Sequence, residues 1–300
     1  MMIFMKSEFA DTLGLIEVIL AGVGFGFLGI FGRLAFQAGM TVGELLVFRF
    51  TLAAILLWIG LLVLKPQQLR LAPKQKGISF LLGIGGYAVF STMYFNAIQG
   101  VSVAIAAMLL FTFPIFVNVG AHFFLKQRLG SKQWLSLAMA ILGLALLLWG
   151  DWRIERASAI FWGLGAAITY AVYVLVSGEL QRNVSPLSSS VYVITAAALA
   201  LWLFHRPDWH RVVEFGWNEW TCVFGIAIVC TILPLTLFLS GLQKLSSSKA
   251  AIVVMIEPVT AAVAGWLILG ERLALHQMIG AGVVIGALLI NRQKKHRVGG

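Results

Sequence analysis

The chain has 300 residues, of which 60% are hydrophobic and only 11% are charged, whereas a soluble domain carries about 25% charged residues. Because so few charges cannot cover a water-facing surface, the composition excludes an ordinary soluble protein and predicts that lipid covers much of the molecule. The 22 Lys and Arg against 12 Asp and Glu give a net charge of +10, so the placement of the basic residues along the chain becomes informative.

Ten apolar segments, separated by polar or helix-breaking residues, follow one another along the chain. Each is near the roughly 20 residues that a helix needs to cross a bilayer, and each is a continuous run rather than the alternating pattern of a membrane β-strand. The sequence therefore predicts an all-α membrane protein with ten transmembrane helices. The predicted spans are 14–37, 42–64, 77–97, 102–124, 133–149, 158–179, 187–204, 218–241, 249–269 and 274–290.

The first predicted helix contains a glycine pattern, residues 24–29, that matches the GxGxxG motif of dinucleotide-binding proteins. That motif needs a preceding β-strand, and here it lies inside a continuous apolar helix, so we reject it. Close helix packing is the better interpretation of these small residues. The glycines predicted to pack are Gly22, Gly26 and Gly29 in the first helix and Gly282 and Gly286 in the tenth.

Two charged residues lie deep within predicted helices. Arg49 is about seven residues inside the second helix, and Glu257 is roughly 13 Å into the ninth, close to the middle of a bilayer core about 30 Å thick. A charge there costs about 2.5–3.5 kcal/mol, so both side chains should face the interior. We hypothesise that Arg49 and Glu257 contact opposite ends of an amino-acid-like solute, or that Glu257 exchanges a proton. The alternatives are a structural ion pair for Arg49 and a neutral carboxyl that caps backbone carbonyls for Glu257.

Two prolines, Pro114 and Pro258, lie near the middle of the fourth and ninth helices. Each removes a backbone donor and should free the carbonyl four residues earlier, at Leu110 and Val254. Because freed carbonyls in lipid need partners, such breaks normally face protein or a wet cavity. We predict two broken helices that line a solute pathway; the alternative is a pair of kinks that are satisfied locally.

Tyr94, Asn96 and Tyr173 are further candidates for lining a cavity, although aromatic residues in membrane helices more often serve as interface anchors. The five histidines show no metal-ligand spacing, and no nucleophile–base set is visible. We therefore expect no metal, no cofactor and no enzymatic activity.

The basic residues favour one side of the predicted membrane. Fifteen of the 22 lie at the termini or in one set of alternate loops, five lie in the opposite set, and Arg33 and Arg49 lie inside helices. Because cytoplasmic loops carry the excess of Lys and Arg, both termini are predicted to be cytoplasmic. This distribution explains the basic net charge, so we expect a lipid bilayer and no nucleic acid as a partner.

The chain also contains an internal repeat. When it is shifted by 144 residues, segment 94–129 aligns with 238–273 without a gap. The identical pairs are Gln99/Gln243, Ser102/Ser246, Ala106/Ala250, Ala107/Ala251, Pro114/Pro258, Val119/Val263, Leu125/Leu269, Arg128/Arg272 and Leu129/Leu273. We predict two five-helix repeats, residues 1–150 and 151–300. Since five is odd, the second repeat must be inverted, which is the architecture of many alternating-access transporters.

Several residues in a fixed order resemble a known family. They are Tyr94, Ala97, Ser102, Ala106 and Pro114, their second copy Gly241, Ser246, Ala250, Pro258 and Gly270-Glu271-Arg272-Leu273, and also Phe48-Arg49-Phe50, Gly280 and Gly286. On these residues the sequence resembles the drug/metabolite transporter superfamily, specifically its EamA-type ten-helix members. The first copy departs from the family pattern, because it reads Lys126-Gln127-Arg128-Leu129 where Gly-Glu-Arg-Leu is usual.

The resemblance implies export of amino acids, related metabolites or drugs across the bacterial inner membrane. We expect a secondary transporter that exports small solutes, with a multidrug exporter and a passive facilitator of the same fold as alternatives. The sequence leaves open whether the protein is a monomer or a homodimer.

Overall fold

The computed structural model describes residues 2–127, 130–150, 152–207, 210 and 213–292. Regular structure in these ranges is almost entirely helical, and the β-type contact found there is one isolated antiparallel bridge between Val101 and Ile154. The predicted all-α class is confirmed. Parts of two sequence predictions lie outside the described residues, namely the repeat positions Arg128 and Leu129 and the basic tail residues Lys294, Lys295 and Arg297.

The helices follow the predicted spans, except that α1 begins at Met2, well before the predicted start at residue 14. They are α1 (Met2–Gly26), α2 (Leu28–Gln37), α3 (Val42–Leu64), α4 (Pro73–Leu81), α5 (Val89–Ile98), α6 (Val103–Leu110), α7 (Phe113–Leu125), α8 (Ser131–Leu147), α9 (Ser158–Leu180), α10 (Pro186–His205), α11 (Trp217–Ala227), α12 (Leu233–Lys244), α13 (Ser247–Val253), α14 (Ile256–Leu269) and α15 (Leu275–Arg292).

These segments form ten membrane helices. Within the described ranges, eight spans are long and apolar enough to cross a bilayer, and the shorter apolar helices 131–147 and 275–291 complete the ten. The first membrane helix combines α1 and α2, the third α4 and α5, the fourth α6 and α7, the eighth α11 and α12, and the ninth α13 and α14. The predicted ten-helix fold with two inverted five-helix repeats is therefore confirmed.

The interruptions of these helices repeat along the chain. The third and eighth membrane helices contain π-helical segments at Leu82–Ala88 and Ile228–Ile232, and the fourth and ninth break between α6 and α7 and between α13 and α14. A shift of 144 residues superimposes both kinds of interruption. Since π-helical turns frequently mark functional sites, these four interruptions identify the part of each repeat that departs from a simple bundle.

One prediction about the proline breaks is wrong. The Val254 carbonyl is not left free by Pro258, because the Glu257 backbone N–H donates to it at 3.0 Å. A tight turn therefore satisfies the backbone locally and leaves the Glu257 carboxyl with no capping role there. At the first break, the Thr112 hydroxyl donates to the Leu109 carbonyl at 2.6 Å.

Glycines allow α1 to contact the second broken helix directly. A Cβ atom on Gly26 would lie 2.8 Å from the Glu257 carbonyl oxygen, and one on Gly22 would lie 3.2 Å from the Val254 carbonyl oxygen. The predicted packing role is thus correct for Gly22 and Gly26. It is wrong for Gly29 and Gly282, whose Cβ positions have no atom within 4 Å.

The tenth helix packs through a glycine other than the predicted ones. A Cβ on Gly143 would lie 2.8 Å from the Gly280 carbonyl oxygen, and this contact joins α8 to α15. Gly286 meets only the flexible Met139 side chain, at 3.7 Å. The close approach of α8 and α15 therefore depends on Gly143 and Gly280.

Helices α3 and α10 join the two repeats through a reciprocal pair of hydrogen bonds. The Trp58 indole N–H donates to the Thr195 hydroxyl oxygen at 3.0 Å, and the Trp202 indole N–H donates to the Thr51 hydroxyl oxygen at 2.9 Å. Under the shift of 144 residues, Thr51 corresponds to Thr195 and Trp58 corresponds to Trp202. Each bond is therefore the symmetry copy of the other, and the pseudo-twofold axis passes between them.

We expect Thr51→Val and Thr195→Val to destabilise the protein equally. Each change removes the acceptor of one half-buried indole N–H, which for a hydrogen bond within a membrane costs about 1 kcal/mol. Unfolding in detergent, monitored by circular dichroism, measures the loss. Thr221→Val is the matched control, because the exposed Thr221 hydroxyl bonds only to Trp217 in its own helix. Unequal losses at the two threonines would contradict the symmetric arrangement.

Candidate functional site

Arg49 lies inside the bundle without a full set of partners. A capping box formed by Thr41 and Glu44 fixes the start of α3, and Arg49 follows two turns later with only 5% of its surface exposed. Its guanidinium carbon lies 4.6 Å from the centre of the Phe50 ring. Its Nε atom is buried and has no hydrogen-bond partner among the described residues. A buried cation that lacks a partner is costly, so this group is placed to receive one.

Glu257 occupies the first turn of α14, directly after the second helix break. Gly22 and Gly26 pack behind this turn, and the Glu257 side chain is half-buried. Within the described part of the chain, its carboxyl group forms no hydrogen bond and no ion pair. The break therefore presents a carboxyl group at the centre of the bundle that the protein itself does not use.

The two charged groups are near each other but do not touch. Arg49 is close enough to Glu257 for their charges to interact. The structure describes both side chains, and no nitrogen of Arg49 lies within 4.0 Å of an oxygen of Glu257. The predicted alternative of a structural ion pair is thus absent from this conformation. In this conformation the two side chains therefore do not neutralise each other by direct contact.

Aromatic rings surround these two charges. Tyr87 packs edge-on against Phe50 at 5.5 Å and against Tyr173 at 5.3 Å, and Tyr170 stacks on Tyr173 at 6.0 Å between ring centres. Tyr87, Tyr94 and Tyr170 all lie within electrostatic reach of Glu257. These aromatic residues therefore surround the two charged groups with apolar ring faces and with polar phenol hydroxyl groups.

The structure separates the predicted site residues into three groups. Arg49, Tyr94 and Glu257 lie around the centre, with Pro258 buried at the break beside Glu257. Tyr173 and Pro114 are buried in the supporting wall; Tyr173 is only 1% exposed, and the Pro114 carbonyl accepts a hydrogen bond from the Asn118 amide at 2.6 Å. Asn96 lies elsewhere, in a separate pocket beside Arg156 and Trp162.

Tyr87 is a central residue that sequence reasoning did not select. It belongs to the π-helical segment Leu82–Ala88, whose composition is rich in glycine. A Cβ on Gly86 would lie 2.7 Å from Tyr173 Cδ2, so this glycine allows the two tyrosines to pack. The Gly85-Gly86-Tyr87 run, which precedes the Ser, Thr, Tyr and Asn residues of α5, was the sequence feature that could have identified Tyr87.

The two broken helices pack differently in their two halves. Helix α7 packs against α13 at the end of the bundle where the chain's N terminus lies. The symmetry-related pair is α6 and α14, which the structure describes in full and which forms no comparable packed pair. Burial shows the same asymmetry, because residues 251–254 are buried whereas their counterparts 107–110 are half-buried. The bundle is therefore closed toward the N-terminal side and more open toward the opposite side.

Ion pairs connect α1 and α2 to the second repeat at both ends. Near the N terminus, Lys244 Nζ lies 2.8 Å from Glu17 Oε2, and Lys249 Nζ lies 2.7 Å from Asp11 Oδ2. At the opposite end, Arg33 pairs with Glu271, and both side chains are about half exposed. In the described part of the chain, no group of three or more His, Cys, Asp and Glu residues is placed to hold a metal ion.

Comparison with known proteins gives consistent results. The model of the EamA-like transporter family matches residues 12–149 and 157–292. "Uncharacterized transporter YcbK" of Bacillus subtilis (strain 168) is 27% identical over 95% of each chain. "Threonine/homoserine exporter RhtA" of Escherichia coli (strain K12) is 28% identical over 78% of each chain. A solved crystal structure with 17% identity has a similar fold, with a TM-score of 0.79 over 92% of this chain and 95% of that one.

Proposed function

This chain belongs to the EamA-like transporter family, and from that premise we propose that it exports a small amino-acid-like solute across the bacterial inner membrane by alternating access. The family and the apolar helices identify the chain as a multi-pass membrane transporter of small molecules. Repeat boundaries at residues 1–150 and 151–300, and cytoplasmic placement of both termini, are parts of the same proposal.

The observation that carries the proposal is the pair of separated ionisable side chains, Arg49 and Glu257, which lie at the centre of the bundle and form no ion pair with each other. An arginine binds a carboxylate through charge-assisted hydrogen bonds, and a carboxylate binds an ammonium group in the same way. Arg49 and Glu257 therefore complement the two charged groups of an amino acid. The relative named as a threonine/homoserine exporter supports this substrate class.

The asymmetric packing of the broken helices supports alternating access. In inverted-repeat transporters, the two repeats exchange conformations around a site near the midplane. Closed packing of α7 on α13 together with the looser α6 and α14 fits one of the two end states. If the termini are cytoplasmic, this state opens toward the periplasm and is the one that releases an exported solute. Each chain carries both members of the charge pair, so a monomer contains the whole proposed site.

A proteoliposome efflux assay with a panel of amino acids, related metabolites and drugs tests the proposal. We expect amino acids to leave the vesicles faster than lipophilic cations, and a pH gradient to change their rate. Preferential efflux of lipophilic drugs would support the multidrug alternative. Flux that ignores the pH gradient and follows only the solute gradient would identify a passive facilitator. No flux of any solute would contradict the transport proposal.

Replacing Glu257 with Gln should lower amino-acid efflux at least about tenfold, because the change removes the charge that attracts the ammonium group. Glutamine keeps the size of the side chain, and the Glu257 carboxyl has no bond to other described side chains, so the variant should fold. Initial efflux rates with and without a pH gradient measure the effect. Glu271→Gln is the control, because Glu271 lies at the membrane surface in the pair with Arg33. Normal efflux by folded Glu257→Gln protein would exclude the carboxyl group from the mechanism.

A further inference from the structure

A small polar pocket lies at the end of the bundle opposite the N terminus, separate from the central charge pair. It has a volume of about 120 Å³, enough for about four water molecules. The end of α5, the turn that follows it and the start of α9 form its walls. The lining residues that matter here are Asn96, Gln99, Gly100, Arg156, Ser158 and Trp162.

The pocket is rich in hydrogen-bond donors and contains a positive charge. One guanidinium nitrogen of Arg156 donates to the Gln99 carbonyl at 2.7 Å, which fixes the side chain across the pocket. The side chains of Asn96, Gln99, Ser158 and Trp162 form no hydrogen bonds within the described part of the chain. Of the residues that the structure describes, no Asp or Glu lines the pocket. Within that part of the chain, the pocket therefore offers several donors and one cation without an acidic partner.

Backbone hydrogen bonds hold Arg156 in place. The Glu155 and Arg156 N–H groups both donate to the Gly100 carbonyl, at 2.9 and 3.0 Å, and the Ser102 N–H donates to the Arg153 carbonyl at 2.9 Å. The segment that connects the two repeats is thus attached to the turn after α5. The Arg156 side chain is anchored before any ligand arrives, which lowers the entropy cost of binding.

The inverted repeat shows what occupies the equivalent place at the other end of the molecule. Under the shift of 144 residues, Asn96 corresponds to Ser240, Gly100 to Lys244 and Ser158 to Gly14. There the Lys244 ammonium fills the space, with Ser240 Oγ at 2.7 Å and Glu17 Oε2 at 2.8 Å. That end therefore contains a cation that is neutralised by a carboxylate of the protein.

Among the described residues, no carboxylate lines the pocket at the Arg156 end. The counterpart of Glu17 is Phe161, which is 77% exposed and carries no charge. The pocket thus contains a cation, which Arg156 supplies from the position of Thr12 rather than from that of Lys244, and Asn96 at the position of Ser240. Among the described residues it lacks an acid like Glu17. We propose that this pocket binds the carboxylate group of a small solute, which takes the place that Glu17 fills at the other end.

The pocket would be a second binding site on the proposed export pathway. The identity of the solute rests on that proposed function, whereas the binding of a carboxylate does not. Fluorine NMR of trifluoroacetate, added to the full-length protein in detergent micelles, provides the test. We expect the ligand signal to broaden with the wild-type protein. Arg156→Gln should weaken the affinity about tenfold or more, because a charge-assisted hydrogen bond is lost. Asn96→Leu, which keeps the cation, should weaken it by a smaller factor.

Two matched variants separate this pocket from other sources of binding. All variants are made in an Arg49→Gln background, because the proposed function has the central cation bind carboxylates as well. In that background, Arg153→Gln removes a neighbouring arginine that does not line the pocket, and it should retain the signal. Acetate and alanine should displace trifluoroacetate, which would extend the site to amino acids, while chloride at the same concentration should not. In the Arg49→Gln background, absence of binding, unchanged binding after Arg156→Gln, or equal displacement by chloride would overturn the proposal. Transport can fail in every variant without affecting this measurement.

Discussion

Replacing Arg49 with Gln is expected to lower the initial efflux rate about a hundredfold while the protein still folds and inserts. Loss of one member of a desolvated charge pair costs about 2–5 kcal/mol, and each 1.36 kcal/mol changes a rate tenfold. Arg49 Nε has no hydrogen-bond partner among the described residues, so glutamine removes the charge without breaking a bond of the fold. Efflux of a radiolabelled amino acid from proteoliposomes measures the loss.

The appropriate control is Arg33→Gln, the other arginine within a membrane helix. Arg33 is about half exposed and pairs with Glu271 at one surface, and exposed ion pairs contribute little. Its removal should change efflux less than about threefold. Equal losses in both variants, or wild-type efflux by a folded Arg49→Gln protein, would remove Arg49 from the site. Size-exclusion profiles and thermal unfolding of each variant establish that it is folded.

A cysteine at position 107 should react with a membrane-impermeant maleimide about a hundredfold faster than one at position 251. These positions are identical alanines related by the repeat, but Ala107 is half-buried beside the main core and Ala251 is fully buried. A buried thiol reacts only after local opening, which costs several kcal/mol in packed regions. Labelling of the purified protein in detergent, where the reagent reaches both ends of the bundle, followed by mass spectrometry gives the two rates.

The background for this experiment is a chain with Cys222 and Cys230 changed to Ala, since both native cysteines are buried and free. Because the two test sites have the same residue and the same place in their repeats, each serves as the control for the other. A conformation open at both ends, or closed at both, would give similar rates and contradict the asymmetric structure. Faster labelling at position 251 would mean that the opposite end state predominates in the purified protein.

Much of the fold could be predicted because membrane helices obey simple local rules. Continuous apolar runs set the spans, and the prolines and the repeat located the breaks near Pro114 and Pro258. The exact bonding at those breaks could not be predicted, because whether Val254 finds a donor depends on a turn that only the folded backbone shows. The pairing of Arg33 with Glu271 likewise joins residues 238 positions apart, which no local pattern contains.

The site was predicted in part, for reasons that geometry explains. Depth in the membrane was sufficient to select Arg49 and Glu257. Asn96 was grouped with Tyr94 although residues two apart on a helix lie about 200° apart around its axis, so they face different surroundings. Extending the repeat alignment to the second and seventh membrane helices would have revealed Thr51/Thr195 and Trp58/Trp202, which are identical under the same shift.

The reciprocal bonds between α3 and α10 have an evolutionary consequence. Each five-helix unit contributes one threonine and one tryptophan, and each tryptophan donates to the threonine of the other unit. Such a self-complementary contact is that of a C2 dimer, in which one surface patch serves both partners. Two separate copies of one unit, inserted in opposite orientations, would form both bonds from a single gene product. Gene fusion after duplication would therefore preserve an interface that was already complete, and the two halves could afterwards diverge at Glu17 and Phe161 without losing it.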